Sequence, residues 1–138
     1  MNLVLDASMA ASWCFPDERT DLTQRLLNDL AGPEAAAAPR MWACEIRNVV
    51  LRGVRQERLG HKDAAAFLES LTALRIRLLD PPYGSVFEAA LRFDLSFYDA
   101  AYLELAMREH LPLATLDKRM RRAALAANIA VYGEGCLS

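Results

Sequence analysis

The sequence predicts an α/β fold with a parallel sheet covered on both faces. Two observations carry this. Short aliphatic runs alternate with segments whose apolar residues recur at helical spacing, the pattern of strand–helix–strand units. Proline and glycine punctuate nearly every junction between them. The chain has 138 residues, with 54% hydrophobic and 25% charged, so a single domain over 1–138 with one core is expected and a disordered chain is excluded. No repeat, linker or low-complexity stretch divides it.

The elements follow in order. "NLVLD", residues 2–6, reads as a short buried strand that ends on Asp6. Residues 8–15 form a short helix broken by Pro16, and a second runs from about Glu18 to Leu30 on Leu22, Leu26, Leu27 and Leu30. "AGP" at 31–33 ends it. "EAAAAP" is alanine-rich, but its brevity and Pro39 favour a second strand. A long helix over 40–60 carries Trp42, Ile46, Val49, Val50 and Gly53 on one stripe and stops at Gly60. A helix over 62–74 and a third strand in "IRLLDPP" come next. Helices follow in "GSVFEAALRFD" and "SFYDAAYLELAMREH". "LPLATLD" gives a fourth strand, "KRMRRAALAAN" a helix and "IAVYG" a fifth strand.

Composition narrows the function classes. No apolar run reaches the roughly 20 residues of a membrane span, and the early uncharged stretch lacks a basic lead-in; a soluble, cytoplasmic protein is the expectation. Cys14, Cys44 and Cys136 are widely spaced, and His61 and His110 are the two histidines. A zinc or redox site is therefore not indicated, and buried free thiols are expected. Net charge is −2, yet cations gather between Arg40 and Lys62 and again in "KRMRR". Such runs are commonly solvated helix faces; two of them also suit a phosphate backbone.

The acids are more informative. Asp6 and Asp117 each end a strand, and open parallel sheets bind ligands beyond the carboxyl ends of their strands, where strand order reverses. Glu45 lies about 40° from Val49 and about 60° from Trp42 around its helix, bordering the buried stripe. Asp99 shares a face with Tyr102, Leu103 and Ala106. An acid at a core border is costly unless a donor or cation meets it. Each also has a plainer reading. Asp6 and Asp117 are placed to cap helices, Asp99 to complete a capping box with Ser96, and Glu45 to pair with an arginine or reach solvent.

If the four converge, like charges about 4 Å apart repel by roughly 4 kcal/mol at an effective dielectric of 20. Protons or a cation must then offset them. An all-oxygen set without histidine suits Mg²⁺ or Mn²⁺, and phosphodiester hydrolysis by metal-activated water is the chemistry that follows. Ser8 and Thr115 are candidates to orient that water, or else turn and capping hydroxyls.

Four stretches then resemble, in order and spacing, the motifs of the PIN-domain family, in particular the VapC-type toxins of bacterial toxin–antitoxin pairs. They are "LVLDASMAASWCFPDE", "CEIRNVVLRG", "LSFYDAAYLELA" and "LPLATLDKRMRRAA". They supply Asp6, Glu45, Asp99, and Thr115 with Asp117. The resemblance covers nearly the whole chain. It implies an α/β/α three-layer fold around a five-stranded, mostly parallel sheet, and a Mg²⁺-dependent endoribonuclease. It implies as partners a cognate VapB-type antitoxin, an RNA substrate and a second copy in a homodimer or larger assembly. Arg47, Arg52, Lys118, Arg119 and Arg122 flank the motifs and suit the RNA backbone. Trp13 and Phe15 fit either the core or an interface.

Rival readings differ at named positions. A haloacid dehalogenase-like phosphatase wants a second acid two residues after the first, where this chain has Ser8. A receiver domain expects its phospho-accepting Asp after another strand. A non-catalytic module whose acids grip a basic partner is the remaining alternative.

Overall fold

The structure, a computed structural model, describes residues 3–31 and 36–134. The expected strand residue Asn2, the stop at Gly32 and Pro33, the first two residues of "EAAAAP", and Cys136 lie outside these.

Four parallel strands form the sheet: β1 (Val4–Leu5), β2 (Ala36–Pro39), β3 (Ile76–Leu79) and β4 (Leu113–Ala114), in the order β3-β2-β1-β4. Every crossover between them is helical, as parallel pairing requires. The helices are α1 (Ala7–Ala11), α2 (Asp21–Asp29), α3 (Trp42–Arg55), α4 (His61–Leu71), α5 (Tyr83–Phe93), α6 (Phe97–Glu109) and α7 (Lys118–Ala126), with a 3₁₀ turn at Pro16–Glu18. The α/β architecture with helices flanking a parallel sheet is the one expected. The fifth strand is reduced to a single bridge from Val131 to Leu113. Leu113 donates its N–H to Ala130 and accepts from Tyr132.

The chain leaves β1 toward β2 and β3, then returns to β4 on the other side of β1. Strand order therefore reverses between β1 and β4, at the edge where Asp6 and Thr115 follow the strands. α6 packs on β1, β2 and β4. Its residues Ala100 to Ala106 are buried without interruption, as a helix enclosed on most sides must be.

Helix ends depart most from expectation. α3 stops at Arg55, short of Gly60, because Glu57 takes a left-handed conformation (φ 59°). The Arg58 amide then bonds back to Gly53 and the Glu57 amide to Val54, closing a Schellman motif without glycine. Gly60 instead precedes α4 as its N-cap. Gly53 is there for close packing, since a Cβ at that position would lie 2.5 Å from the Phe15 ring. Phe15 is fully buried, and the Trp13 indole donates to the Thr23 carbonyl at 2.8 Å. Both aromatics are core residues. Among the described residues no helix is long and apolar enough to cross a membrane.

Candidate functional site

Asp6 sits immediately after β1 and caps α1. Its amide bonds to the Ala114 carbonyl on β4, so the first acid is fixed at the point where strand order reverses. Its side chain is buried and Oδ2 accepts two hydroxyls, Thr115 at 2.5 Å and Ser8 at 3.0 Å. The Thr115 hydroxyl accepts the Asp117 amide at 3.1 Å, and the Ser8 hydroxyl accepts the Leu116 amide at 3.3 Å. Ser8 and Thr115 thus join the carboxyl ends of β1 and β4.

Asp117 caps α7, with Oδ1 accepting the Arg119 and Met120 amides at 2.8 and 3.2 Å. Asp99 stands in the first turn of α6, its amide donating to the Ser96 cap hydroxyl at 3.1 Å. Asp6 and Asp117 cap helices as read, whereas for Asp99 one half of the capping box is present, the Ser96 hydroxyl on its amide. Each cap occupies backbone groups and at most one carboxylate oxygen.

Glu45, in the first turn of α3, is paired neither with an arginine nor with solvent alone. Its Oε1 accepts the phenol of Tyr102 on α6 at 2.6 Å. Tyr102 is fully buried, and a buried phenol needs an acceptor. The sequence puts Tyr102 on the Asp99 face of α6 but does not reveal its meeting with Glu45. The signal was present in part: a core-border acid lacking a donor and a core tyrosine lacking an acceptor.

Charge ties the acids together. Burial is the main force holding the Asp6, Glu45 and Asp99 carboxyls above their ordinary range. Asp6 is lowered somewhat by its hydroxyl partners and raised further by Asp99. Glu45 is eased by Tyr102 and raised by Asp6 and Asp99. Asp99 is raised by Asp117 and eased by Ser96 and Arg119. Tyr102 is pushed far above the usual phenol range by burial and then by Glu45.

Among the described residues no three Asp, Glu, His or Cys side chains close into a ready-made metal cage. The donor set is oxygen alone, and its charges repel. That chemistry fits a hard cation held by one or two carboxylates and completed by water, the habit of Mg²⁺, rather than an all-protein cage. A cleft of about 730 Å³, lined by Trp13, Leu27, Leu59 and Phe67 among others, includes none of the four acids.

The flanking cations divide. Arg119 is close enough for its charge to ease Asp99. Lys118, Arg119 and Arg122 are exposed on α7. Arg47 and Arg52 are exposed on α3, the former with its guanidinium turned back to the Ala43 carbonyl at 2.7 Å. Arg58 is committed elsewhere, to Asp17, Glu18 and the Phe15 ring.

Comparison with known proteins gives a consistent picture. A family model described as PIN domain matches residues 3–125. Ribonuclease VapC3 of Pyrobaculum aerophilum is 29% identical over 124 residues, spanning 87% of this chain and 92% of that protein. Three solved structures share the fold. PAE2754 from Pyrobaculum aerophilum has a TM-score of 0.72 at 22% identity, over 89% of this chain and 84% of its own. FitAcB from Neisseria gonorrhoeae has 0.65 at 21%, over 96% and 97%. VapC20 of Mycobacterium tuberculosis, described as a sarcin-ricin loop cleaving toxin, has 0.65 at 18%, over 88% and 94%.

Proposed function

The chain belongs to the PIN domain family, and from that premise we propose that it is a divalent-metal-dependent endoribonuclease acting as the toxin of a toxin–antitoxin pair. Asp6, Glu45, Asp99 and Asp117 are its catalytic and metal-holding residues in this reading, with Mg²⁺ the natural ion and Mn²⁺ a substitute. The observations that support it are the family match over residues 3–125, Asp6 standing where strand order reverses, and Glu45 bonded to Tyr102 of the helix that carries Asp99.

When bound, the ion supplies positive charge against the acids and the RNA phosphate and makes water a better nucleophile. The chain's own residues do the rest. Thr115 and Ser8 hold Asp6, and Tyr102 holds Glu45. Burial makes these carboxylates better proton acceptors for an attacking water. Lys118, Arg119 and Arg122, with Arg47 and Arg52, grip the RNA backbone, so that binding weakens as salt rises.

A VapB-type antitoxin silences the site by placing a basic side chain among the carboxylates in place of the ion. A second copy is the other partner. Tyr83, Phe87 and Leu91 recur every fourth residue on α5 and, with Tyr98, are 57–73% exposed. They offer on the order of 500 Å² of mostly apolar surface, enough for the centre of an interface of about 800 Å² per partner. Phe87→Glu is expected to turn a dimer into a monomer by light scattering; an unchanged mass removes that face from the proposal.

The activity is tested by incubating purified, antitoxin-free protein with RNA in Mg²⁺ or in chelator. Cleavage in Mg²⁺ that disappears with chelator and in Asp6→Asn supports the nuclease. A protein that binds Mg²⁺ and a basic peptide, yet cuts no RNA, is the acidic binding module instead.

A further inference from the structure

Tyr98 directly precedes Asp99 in the first turn of α6. It also lies one helical turn before Tyr102, about 40° from it around the axis, so their Cβ atoms leave the helix on one face about 5–6 Å apart. Tyr102 turns inward and donates to Glu45, whereas Tyr98 is 59% exposed. An open aromatic ring therefore stands beside Asp99 and one turn from the tyrosine that holds Glu45. The ring is anchored. It meets Phe97 edge to face, with centroids 6.4 Å apart and planes at 88°. Phe97 is half-buried against the core and also contacts the Tyr83 ring at 6.3 Å. Cations are at hand: Lys118 and Arg119 are exposed at the start of α7, and the charge of Arg119 reaches Asp99.

We propose that Tyr98 is a substrate-binding residue, on whose ring one RNA base beside the cut phosphate stacks. The proposal rests on the ribonuclease reading above. Aromatic rings set among cations hold unpaired nucleotides: the cations take the phosphates, and the ring takes the π-face of the base. Bases inside a duplex stay stacked on one another, so the ring serves a nucleotide turned out of a helix. Tyr83 and Phe87 are as open, but they stand on α5. Tyr98 differs in sharing the first turn of α6 with Asp99, where a phosphate held at the acid brings its own or the next base within reach of the ring.

Steady-state cleavage in Mg²⁺, on an RNA whose cut position has been mapped, provides the test. Two changes are made singly and together: Tyr98→Ala in the full chain, and a single abasic nucleotide in the RNA, placed in turn on each side of the cut. Tyr98→Ala is expected to raise KM about 10-fold on intact RNA, the scale of one lost stack, and Tyr98→Phe to leave it unchanged. At one abasic position wild type is expected to show the same rise, and Tyr98→Ala no further one, because ring and base take part in one shared contact. Rises that multiply at every position make the ring independent of the base and overturn the proposal. An unchanged KM in Tyr98→Ala does so too. A Tyr98→Ala protein lighter than wild type by light scattering assigns the ring to the face between copies, which also overturns it. Each of these leaves the ribonuclease reading standing, whereas wild type that cuts no RNA removes both.

Discussion

Tyr102 and Glu45, 57 residues apart in the chain, meet through a 2.6 Å hydrogen bond between the buried phenol and one carboxylate oxygen. The bond joins α3 to α6, so the acid at the start of one helix is anchored by the core of the other. It satisfies the buried phenol and aims Glu45 with one gesture.

Tyr102→Phe removes that bond and little else. The loss expected is about 1–2 kcal/mol, the usual cost of leaving one partner of a buried hydrogen bond unmet. Urea unfolding at neutral pH measures it. No change in midpoint would mean that Glu45 finds an equal partner in water.

Acidity should stabilise the metal-free protein. The folded state holds the Asp6, Glu45 and Asp99 carboxyls above their ordinary range, chiefly by burial, so it binds protons more tightly than the unfolded chain does. For acids shifted upward the sign is fixed. Their contribution is fully present below the ordinary carboxylate pKa near 4 and is lost as pH rises through the folded-state values. In chelator, the urea midpoint is therefore expected to be higher at about pH 5.5 than at about pH 8. Excess Mg²⁺ should narrow the difference by stabilising the ionised form. A midpoint that falls on mild acidification contradicts the crowding of these acids.

Asp99→Asn removes a charge that both Asp6 and Glu45 feel. Two opposite effects on melting temperature are expected. The metal-free variant melts above wild type, because repulsion is relieved. The rise that Mg²⁺ produces in wild type, by binding only the folded state, shrinks or vanishes. Thermal melts with and without Mg²⁺ check both, and a metal-free variant that melts below wild type counts against the repulsion.

Gly53→Ala tests packing away from the site. An interior helical glycine replaced by alanine ordinarily gains about 1 kcal/mol. Here the new methyl would lie 2.5 Å from a Phe15 ring atom, and Phe15 is enclosed with Arg58 over its face at 4.2 Å. A net loss of about 1–3 kcal/mol is expected, the range for overpacking a core. A stabilised variant would show that Phe15 has room to turn aside.

The legible parts of this molecule were those where local chemistry is out of place. An acid closing a buried strand, as Asp6 does, and an acid bordering a core stripe, as Glu45 does, demand partners, and the demand is visible in the sequence alone. The partners were harder to read. Tyr102 meets Glu45 only because α3 and α6 cross, a tertiary fact that no local pattern encodes. Thr115 reads as a water-orienting, turn or capping hydroxyl, and it does accept the Asp117 amide two residues on, but no local pattern encodes that its proton goes to Asp6. Element order was readable from alternation, but ends were not. Gly60 looks like the stop of α3, yet Glu57 adopts the left-handed conformation first. "IAVYG" has the composition of a strand, but β4 offers it one residue to pair with.

The central claim is that Asp6, Glu45, Asp99 and Asp117 serve one divalent-cation site. Anomalous diffraction from crystals soaked in Mn²⁺ tests it most directly. The account predicts one dominant peak at the carboxyl edge of β1 and β4, against the Asp6 carboxylate and at least one of the other three, absent in Asp6→Asn. Mn²⁺ density elsewhere on the surface, with none at these acids, would contradict it.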